Sequence, residues 1–164
     1  MFFERENYLF FLRQFRRYLA ETTVHVMAYC LMPNHYHFLV CVRSPNVSAQ
    51  MGRFSLSYTK AINKRRKRCG GLFQGPFNGI LVDEDSYLLN LSRYIHLNPV
   101  KAGFVKRAED WEFSSYREYV ALRQGTLPRF EAVRQQLGSP AAYRRFVEGE
   151  DLLPAPMWEL MLDE

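Results

Sequence analysis

The sequence contains little cysteine, and its three cysteines form no recognisable framework. Cys30, Cys41 and Cys69 are odd in number and lack the C-x-x-C spacing of zinc ribbons and dithiol redox sites. This argues against a disulfide-bonded secreted scaffold and favours reduced thiols in a cytoplasmic protein. The chain also contains no internal repeat and no low-complexity linker, so its 164 residues fit one compact domain with a small appendage.

Charged residues are missing from one long stretch near the start of the chain. Residues 22–42 contain no Asp, Glu, Lys or Arg, and 21 residues would be enough to span a membrane. Pro33 and Asn34 in the middle of the stretch, together with its histidines, instead favour two strands around a turn. The charged residues 4–6 interrupt the apolar start, unlike a signal peptide. No membrane partner is therefore expected.

Acidic residues are outnumbered by basic ones, and the excess is uneven. The net charge is +5, with +7 in residues 1–120 and −2 in residues 121–164. A basic domain of this kind suggests a polyanionic partner such as nucleic acid. The densest basic run comprises five consecutive cations, Lys64, Arg65, Arg66, Lys67 and Arg68. Such a run is typical of a solvated helix end, but at this overall charge it equally suggests contact with DNA phosphates.

Hydrophobic spacing predicts an α+β chain, with an antiparallel sheet covered by helices. The first predicted elements are a helix over 5–21, strands over 24–31 and 35–42, and a helix with Ser48 as its N-cap that stops at Gly70-Gly71. A short strand from Phe77 to Val82 and a helix over 87–97 follow. Beyond a boundary at 124–128, short helices are predicted over 129–148. Residues 83–86 supply the cap and first-turn acids of the helix over 87–97, and Pro99 is expected to end it.

The second strand carries two histidines on one face. Because side chains alternate along a strand, His35 and His37 point the same way. The opposite face should enter the core with Tyr36, Phe38, Val40 and Val42. On the first strand, Val24, Val26 and Ala28 should share one face, opposite to His25, Met27 and Tyr29. Two imidazoles side by side on a rigid strand can hold one divalent metal ion. An isolated pair of this kind is more often one exposed histidine and one satisfied in the core.

Tyr94 and Asn98 are four residues apart and therefore lie on one face of their helix. A tyrosine at such a position is normally a core residue with its hydroxyl in water. Beside a metal-binding strand it can be a nucleophile, although its phenol ionises near pH 10 and needs assistance at neutral pH. A metal ion held by His35, His37 and the Asn98 amide oxygen would supply that assistance by polarising a scissile phosphate.

Together these motifs resemble the single-tyrosine HUH transposases, and most closely the REP-associated tyrosine transposases of bacteria. The resemblance rests on Met-Pro-Asn-His-Tyr-His at residues 32–37 and on Tyr-Ile-His-Leu-Asn-Pro-Val-Lys-Ala-Gly at residues 94–103, and it extends over residues 3–120. Shorter matching pieces are Arg53-Phe54-Ser55, Tyr58-Thr59, Asn63, Leu72-Phe73-Gln74-Gly75, Trp111 and Ser114-Ser115-Tyr116. The resemblance implies a ferredoxin-like antiparallel sheet in a catalytic domain over residues 1–122, followed by a short helical appendage over residues 123–164.

The resemblance also implies a reaction and the residues that perform it. His35 and His37 would bind Mg²⁺ or Mn²⁺, Asn98 would be a further ligand, and Tyr94 would be the nucleophile. The implied substrate is single-stranded or hairpin DNA, which is cut through a 5′-phosphotyrosine link that frees a 3′-hydroxyl without ATP.

In one respect the sequence departs from that family. Its members usually begin with a strand that lies next to the histidine strand, whereas here a helix begins within the first few residues. We therefore expect a sheet that lacks this strand, so that the chain either associates, for example into a homodimer, or is poorly stable.

Two other interpretations of the same residues remain open. One is a non-catalytic DNA- or RNA-binding remnant of such a transposase. The other is a metal-dependent phosphoesterase that uses water, with Tyr94 in a structural role. Covalent trapping of the protein on an oligonucleotide distinguishes all three.

Overall fold

A two-stranded antiparallel sheet lies between two groups of helices. The computed structural model describes residues 1–82 and 85–149, without the side chains of residues 85 and 86. The elements are α1 (Arg5–Phe15) continued by a π-helical turn (Arg16–Ala20), β1 (Val24–Leu31), β2 (Tyr36–Val42), α2 (Val47–Arg66), α3 (Asp85–Lys101), a 3₁₀ turn (Ala108–Asp110), α4 (Tyr116–Tyr119), α5 (Glu131–Arg134) and α6 (Pro140–Glu148). The predicted α+β class is confirmed. None of the described helices is long and apolar enough to cross a membrane.

β1 changes face halfway along because it contains a β-bulge. The register with β2 shifts between Val26 and Ala28, where Met27 is the extra residue. Val24 and Val26 consequently pack on the α1–α2 side of the sheet, whereas Ala28 packs on the α3 side. The prediction that these three residues share a face is wrong, since simple alternation does not reveal where a bulge resets the period.

β2 keeps its alternation and thereby fixes the face on which the histidines lie. Phe38 packs on the α1–α2 side and stacks on Phe15, with ring centroids 3.9 Å apart. His37 pairs with Cys30, whose side chain belongs to the core on the α3 side. Val42, predicted to enter the core, is 55% exposed, because the ladder ends at its pair with Val24.

Aromatic side chains from α1 and α2 form the core on one side of the sheet. Phe11 and Phe15 are four residues apart on α1, and Phe54 and Tyr58 are four apart on α2, so each pair presents one helix face. All four are nearly or fully buried. Burial of each side chain stabilises the fold by roughly 1.5–3 kcal/mol. This core supports the sheet from behind the histidine face.

The core on the other side joins α3 to the C-terminal helices. Val133 of α5 and Tyr143 and Val147 of α6 are buried in the same cluster as Tyr94 and Ile95 of α3. The two short helices predicted over 129–148 are present, and residues 123–128 between α4 and α5 are irregular. The helix that carries Tyr94 is therefore packed against the sheet and against α5 and α6.

The first two helices begin close to the predicted residues. α1 begins at Arg5, and the last part of the predicted helix is a π-helical turn rather than an α-helical one. α2 begins at Val47 with Asn46 in the N-cap position. Ser48, predicted as the cap, therefore lies within the first turn; both residue types favour this end of a helix.

α2 ends earlier than predicted, within the basic run. Lys67 adopts the left-handed conformation (φ 50°), and the Arg68 backbone N–H donates to the Asn63 carbonyl at 3.0 Å. The helix consequently ends at Arg66 and not at Gly70-Gly71. The prediction assumed that the left-handed terminating residue would be a glycine, whereas here a lysine adopts that conformation.

α3 continues past the proline that was predicted to end it. Pro99 has no N–H to donate to the preceding turn, yet the Ala102 N–H donates to the Asn98 carbonyl at 2.9 Å, so the helix extends to Lys101. The prediction is wrong because one missing hydrogen bond in the last turn does not outweigh the packing of this helix against the sheet. Residues 83 and 84 of the predicted cap lie outside the described residues.

Residues 77–82, predicted as a strand, adopt no regular structure. A strand needs a hydrogen-bonding neighbour, and within the described ranges the β2 edge opposite β1 pairs with no strand. Phe77, Ile80 and Leu81 are accordingly 43%, 42% and 88% exposed. The outer edge of β1, in contrast, is covered by a bridge between Cys30 and Ser114.

Candidate active site

His35 and His37 lie side by side where the turn enters β2. Their ring centroids are 4.9 Å apart, and the rings are nearly perpendicular. His35 is exposed, and its Nδ1 lies 2.8 Å from Oδ1 of Asn34. Because an amide oxygen only accepts, Nδ1 must donate, which leaves the lone pair of this imidazole on Nε2. Nε2 of His37 is buried.

Tyr94 reaches this histidine pair from α3. The ring centroids of His37 and Tyr94 are 5.7 Å apart in an edge-to-face arrangement. Tyr94 is only 4% exposed, and it belongs to the core that joins α3 to the sheet. The structure thus brings together two residues that are 57 positions apart in the sequence, as the predicted site requires.

Asn98 and Lys101 extend the same face of α3. The Asn98 side-chain NH₂ donates to the Tyr94 carbonyl at 3.4 Å, one turn back along the helix. Nζ of Lys101 lies 4.8 Å from the centroid of the Tyr94 ring. Lys101 was not predicted as a site residue, although it follows Tyr94 by seven positions, which is two helical turns. That spacing was the signal by which it could have been found.

The residues present fit a divalent cation. His35 and His37 offer imidazole nitrogens and Asn98 an amide oxygen, and both donor types are used by divalent metals in proteins. Within residues 1–82 and 85–149, no group of three or more His, Cys, Asp or Glu side chains could hold a metal ion. A metal at the candidate site would therefore depend on the amide oxygen and on water in addition to the two imidazoles.

A buried hydrogen-bond chain fixes α3 against β1. His96 is fully buried; its Nε2 lies 2.8 Å from Oγ of Ser115, and its Nδ1 lies 2.7 Å from the hydroxyl of Tyr143. The Ser115 hydroxyl donates to the Tyr29 carbonyl at 3.3 Å, so it accepts from Nε2–H of His96. Because burial keeps this imidazole neutral, Nδ1 carries no proton and accepts from the Tyr143 hydroxyl. Burial lowers the pKa of His96 to about 3.

The hydrogen bonds of His96 also fix the orientation of the helix that carries Tyr94. His96 lies two positions after Tyr94, on the side of α3 that faces Ser115 and α6. Anchoring His96 to both neighbours sets the rotation of the helix, and hence the direction in which Tyr94 points. The sequence shows this histidine within the second motif but does not indicate its role.

The predicted DNA-binding cations lie around the end of α2, near the turn that precedes the histidines. Arg65 pairs with Glu4 at 2.8 Å, whereas the guanidinium of Arg66 lies 4.4 Å from the centroid of the Phe3 ring. The backbone N–H of Phe2 in turn donates to the Pro33 carbonyl at 3.1 Å. This contact connects the basic end of α2 to the turn beside His35.

Comparison with known proteins identifies the family. The family model described as "Transposase IS200 like" matches residues 2–98, which include both histidines, Tyr94 and Asn98. The chain belongs to the IS200-like transposase family, and its class is that of the DNA transposases.

Individual relatives give a narrower comparison. A protein of Haemophilus influenzae named as a REP-associated tyrosine transposase is 27% identical over 125 residues, which cover 67% of this chain and 71% of the relative. A solved structure described as a REP-associated tyrosine transposase bound to a REP hairpin matches with a TM-score of 0.60 at 21% identity, over 78% of this chain and 79% of that chain. The predicted resemblance to REP-associated tyrosine transposases and the predicted fold class are both confirmed.

Proposed function

We propose that this protein cuts and rejoins single-stranded DNA beside a hairpin, with Tyr94 as the nucleophile. The observation that carries the proposal is the approach of Tyr94 to His37, at 5.7 Å between ring centroids, with the Lys101 cation 4.8 Å from the same tyrosine ring. A nucleophile, a metal-binding pair and a positive charge are thereby combined on two rigid elements. The reaction would be a phosphoryl transfer from DNA to tyrosine.

In the proposed step the Tyr94 hydroxyl oxygen attacks the scissile phosphorus. The new O–P bond forms as the bond to the 3′ oxygen breaks, so the 5′ phosphate stays on Tyr94. The phenol proton passes to water, and the leaving oxygen takes up a proton to become a 3′-hydroxyl. Attack by another 3′-hydroxyl reverses the step and joins the DNA. No ATP is required, because each step exchanges one phosphoester for another.

The surrounding residues of this chain assist at stated atoms. Lys101 provides a counter-charge for the phosphate beside the Tyr94 ring. His35, His37 and the Asn98 amide oxygen would hold Mg²⁺ or Mn²⁺, which when bound supplies Lewis-acid polarisation of the phosphate. The hydrogen bond from the Asn98 NH₂ to the helix backbone would orient its oxygen away from the Tyr94 carbonyl.

The proposed DNA contact is formed by residues 64–68, and four of these five cations have no carboxylate within ion-pair distance among the described residues. Hairpin DNA is favoured because the solved structure that this chain resembles is described as bound to a REP hairpin. A DNA substrate and the free thiols of Cys30, Cys41 and Cys69 also favour a cytoplasmic location.

The proposal is tested by covalent trapping. A labelled hairpin oligonucleotide from the DNA flanking the gene is incubated with the protein and Mn²⁺ and analysed on a denaturing protein gel. Tyr94→Phe should remove the covalent band and leave DNA binding intact, because only the hydroxyl is lost. Tyr87→Phe is the matched control, since Tyr87 lies two turns earlier on α3 and is 37% exposed. An adduct at wild-type level in Tyr94→Phe would contradict the assignment.

A second candidate function is DNA binding without cleavage, and one observation favours it. Tyr94 is 4% exposed, so little of its surface is open to a phosphate. A binding remnant would retain hairpin DNA but give no adduct with Mg²⁺ or Mn²⁺. The same gel therefore distinguishes the two functions.

A further inference from the structure

A second basic site lies at the opposite end of the sheet from the histidines. It is an open cleft of about 470 Å³, between the π-helical turn, the open end of the β1–β2 hairpin and residues 126–129. Three arginines from distant parts of the sequence line it: Arg16, Arg43 and Arg129. We call this site the arginine cleft. Neither the proposed catalytic site nor the basic run at the end of α2 contributes to it.

The arginines are held by specific contacts rather than by chance proximity. The backbone N–H of Arg43 donates to the Thr23 carbonyl at 2.8 Å, and that of Arg129 donates to the Val26 carbonyl at 2.7 Å. The side chain of Arg16 donates to the Thr126 hydroxyl at 2.9 Å. The backbone at residues 43 and 129 is therefore tied to β1 and its entry, which holds both residues at the edge of the cleft.

His25 orients one of these guanidinium groups. Nη1 of Arg43 lies 2.7 Å from Nε2 of His25. Arginine can only donate, so Nε2 must accept, which requires a neutral imidazole. Partial burial lowers the pKa of His25, and the neighbouring Arg129 and Arg43 lower it further, so the imidazole stays neutral at pH 7.

The charge of the cleft favours an anion with several phosphate groups. Among the described residues, the lining carries three arginines against the one carboxylate of Glu21. No described carboxylate forms an ion pair with Arg16, Arg43 or Arg129. Guanidinium groups match phosphate oxygens in pairs. Among the described residues no Phe, Tyr or Trp lines the cleft, so it lacks the large aromatic surface on which a base would stack.

The cleft and the candidate catalytic site lie at opposite ends of the same strand pair. Arg43 directly follows β2 and continues its pairing with the entry of β1 through Thr23, so its even spacing from His37 assigns both residues to the same face of the sheet. Six residues of strand span about 20 Å. That distance corresponds to the rise of about six base pairs of duplex.

We infer that the arginine cleft binds the phosphodiester backbone of the DNA that flanks the scissile phosphate, about 20 Å along the sheet from His37. This inference rests on the proposed function for its choice of DNA. It adds a contact that holds the substrate by its backbone and does not read its sequence.

The test compares two double variants of equal charge. Arg43→Gln/Arg129→Gln removes two cations from the cleft, and Arg53→Gln/Arg145→Gln removes two exposed cations elsewhere. Binding of a labelled 24-nucleotide single strand is measured by anisotropy over a range of salt. The cleft variant should lose about tenfold in affinity at low salt and lower the slope of log affinity against log salt by about 1.4, while the control stays within about twofold of wild type. Equal losses in both variants, or a wild type that does not bind the strand, would overturn the inference.

A second measurement needs no variant. Phenylglyoxal modifies accessible arginines of the wild-type protein, and the modified positions are mapped by mass spectrometry with and without DNA. DNA should protect Arg43 and Arg129 and leave Arg53 and Arg145 reactive; the same protection at all four would overturn the inference. Adduct formation at Tyr94 is scored separately, so a protein that binds through the cleft but forms no adduct contradicts the proposed cleavage and not the cleft.

Discussion

The buried His96 makes the stability of this protein fall in mildly acidic solution. Its pKa is lowered to about 3 by burial, against an ordinary value near 6.5. Because the folded state holds this imidazole neutral, the unfolded chain binds the proton more readily. The contribution of His96 is therefore fully present above pH 6.5 and is lost as the pH falls from 6.5 towards 3.

The magnitude follows from the width of that interval. A pH of 5 lies about 1.5 units below the pKa of the histidine in the unfolded chain, which is therefore protonated, while the folded histidine is still neutral. At 1.36 kcal/mol per unit, the loss between pH 7 and pH 5 is about 2 kcal/mol. This is a substantial fraction of the 5–15 kcal/mol that stabilises an ordinary domain.

The assay is urea unfolding at pH 7 and at pH 5 for wild type and His96→Gln. The variant loses the titrating group, so its free energy of unfolding should change by about 2 kcal/mol less between the two pH values than that of wild type. It should also be less stable at pH 7 by about 1–3 kcal/mol, since Ser115 or Tyr143 loses a buried partner. His35→Gln, at an exposed histidine, is the control. If the free energy of unfolding falls by the same amount in wild type and in His96→Gln on acidification, the assignment of a buried neutral imidazole is wrong.

Other predictions concern the site, the basic run and the sheet edge. His37→Ala should abolish adduct formation and leave the salt dependence of DNA binding unchanged, because phosphate contacts carry most of the affinity. An equal loss of adduct formation and of DNA affinity would contradict this. Neutralising residues 64–68 should lower the affinity and flatten the salt slope, with cleavage per bound complex retained; an unchanged slope would remove this run from the DNA contact. The open β2 edge and the exposed Leu81 should favour self-association, which sedimentation at rising concentration will measure; Leu81→Lys should weaken it, and a wild-type monomer at every concentration would refute it.

Local patterns predicted the hairpin and the side-by-side histidines of the candidate site. The Pro33-Asn34 turn and the alternation after it specify β2, so the side-by-side placement of His35 and His37 could be deduced from spacing alone. The approach of Tyr94 to His37 could not, because it depends on how α3 packs across the sheet. It was suggested by the two motifs taken together and by the resemblance to a transposase family.

The features that the sequence did not reveal are tertiary. The bulge at Met27 preserves the β propensity of its segment and alters only the pairing with β2. Residues 77–82 have strand-like composition but pair with no strand in the described part of the chain, so propensity alone misled the prediction. The role of His96 depends on Ser115 and Tyr143, which lie 19 and 47 positions away.

The central claim is that Tyr94 itself becomes linked to DNA, and peptide mapping tests it most directly. Trypsin cleavage after Arg93 and Lys101 releases residues 94–101, whereas Tyr87 lies in the preceding peptide, residues 69–93. After reaction with a hairpin oligonucleotide, nuclease trimming and digestion, fragment ions should locate the remaining nucleotide phosphate on Tyr94. A phosphate-linked nucleotide on Tyr87 or on any other residue, with residues 94–101 unmodified, would contradict the account.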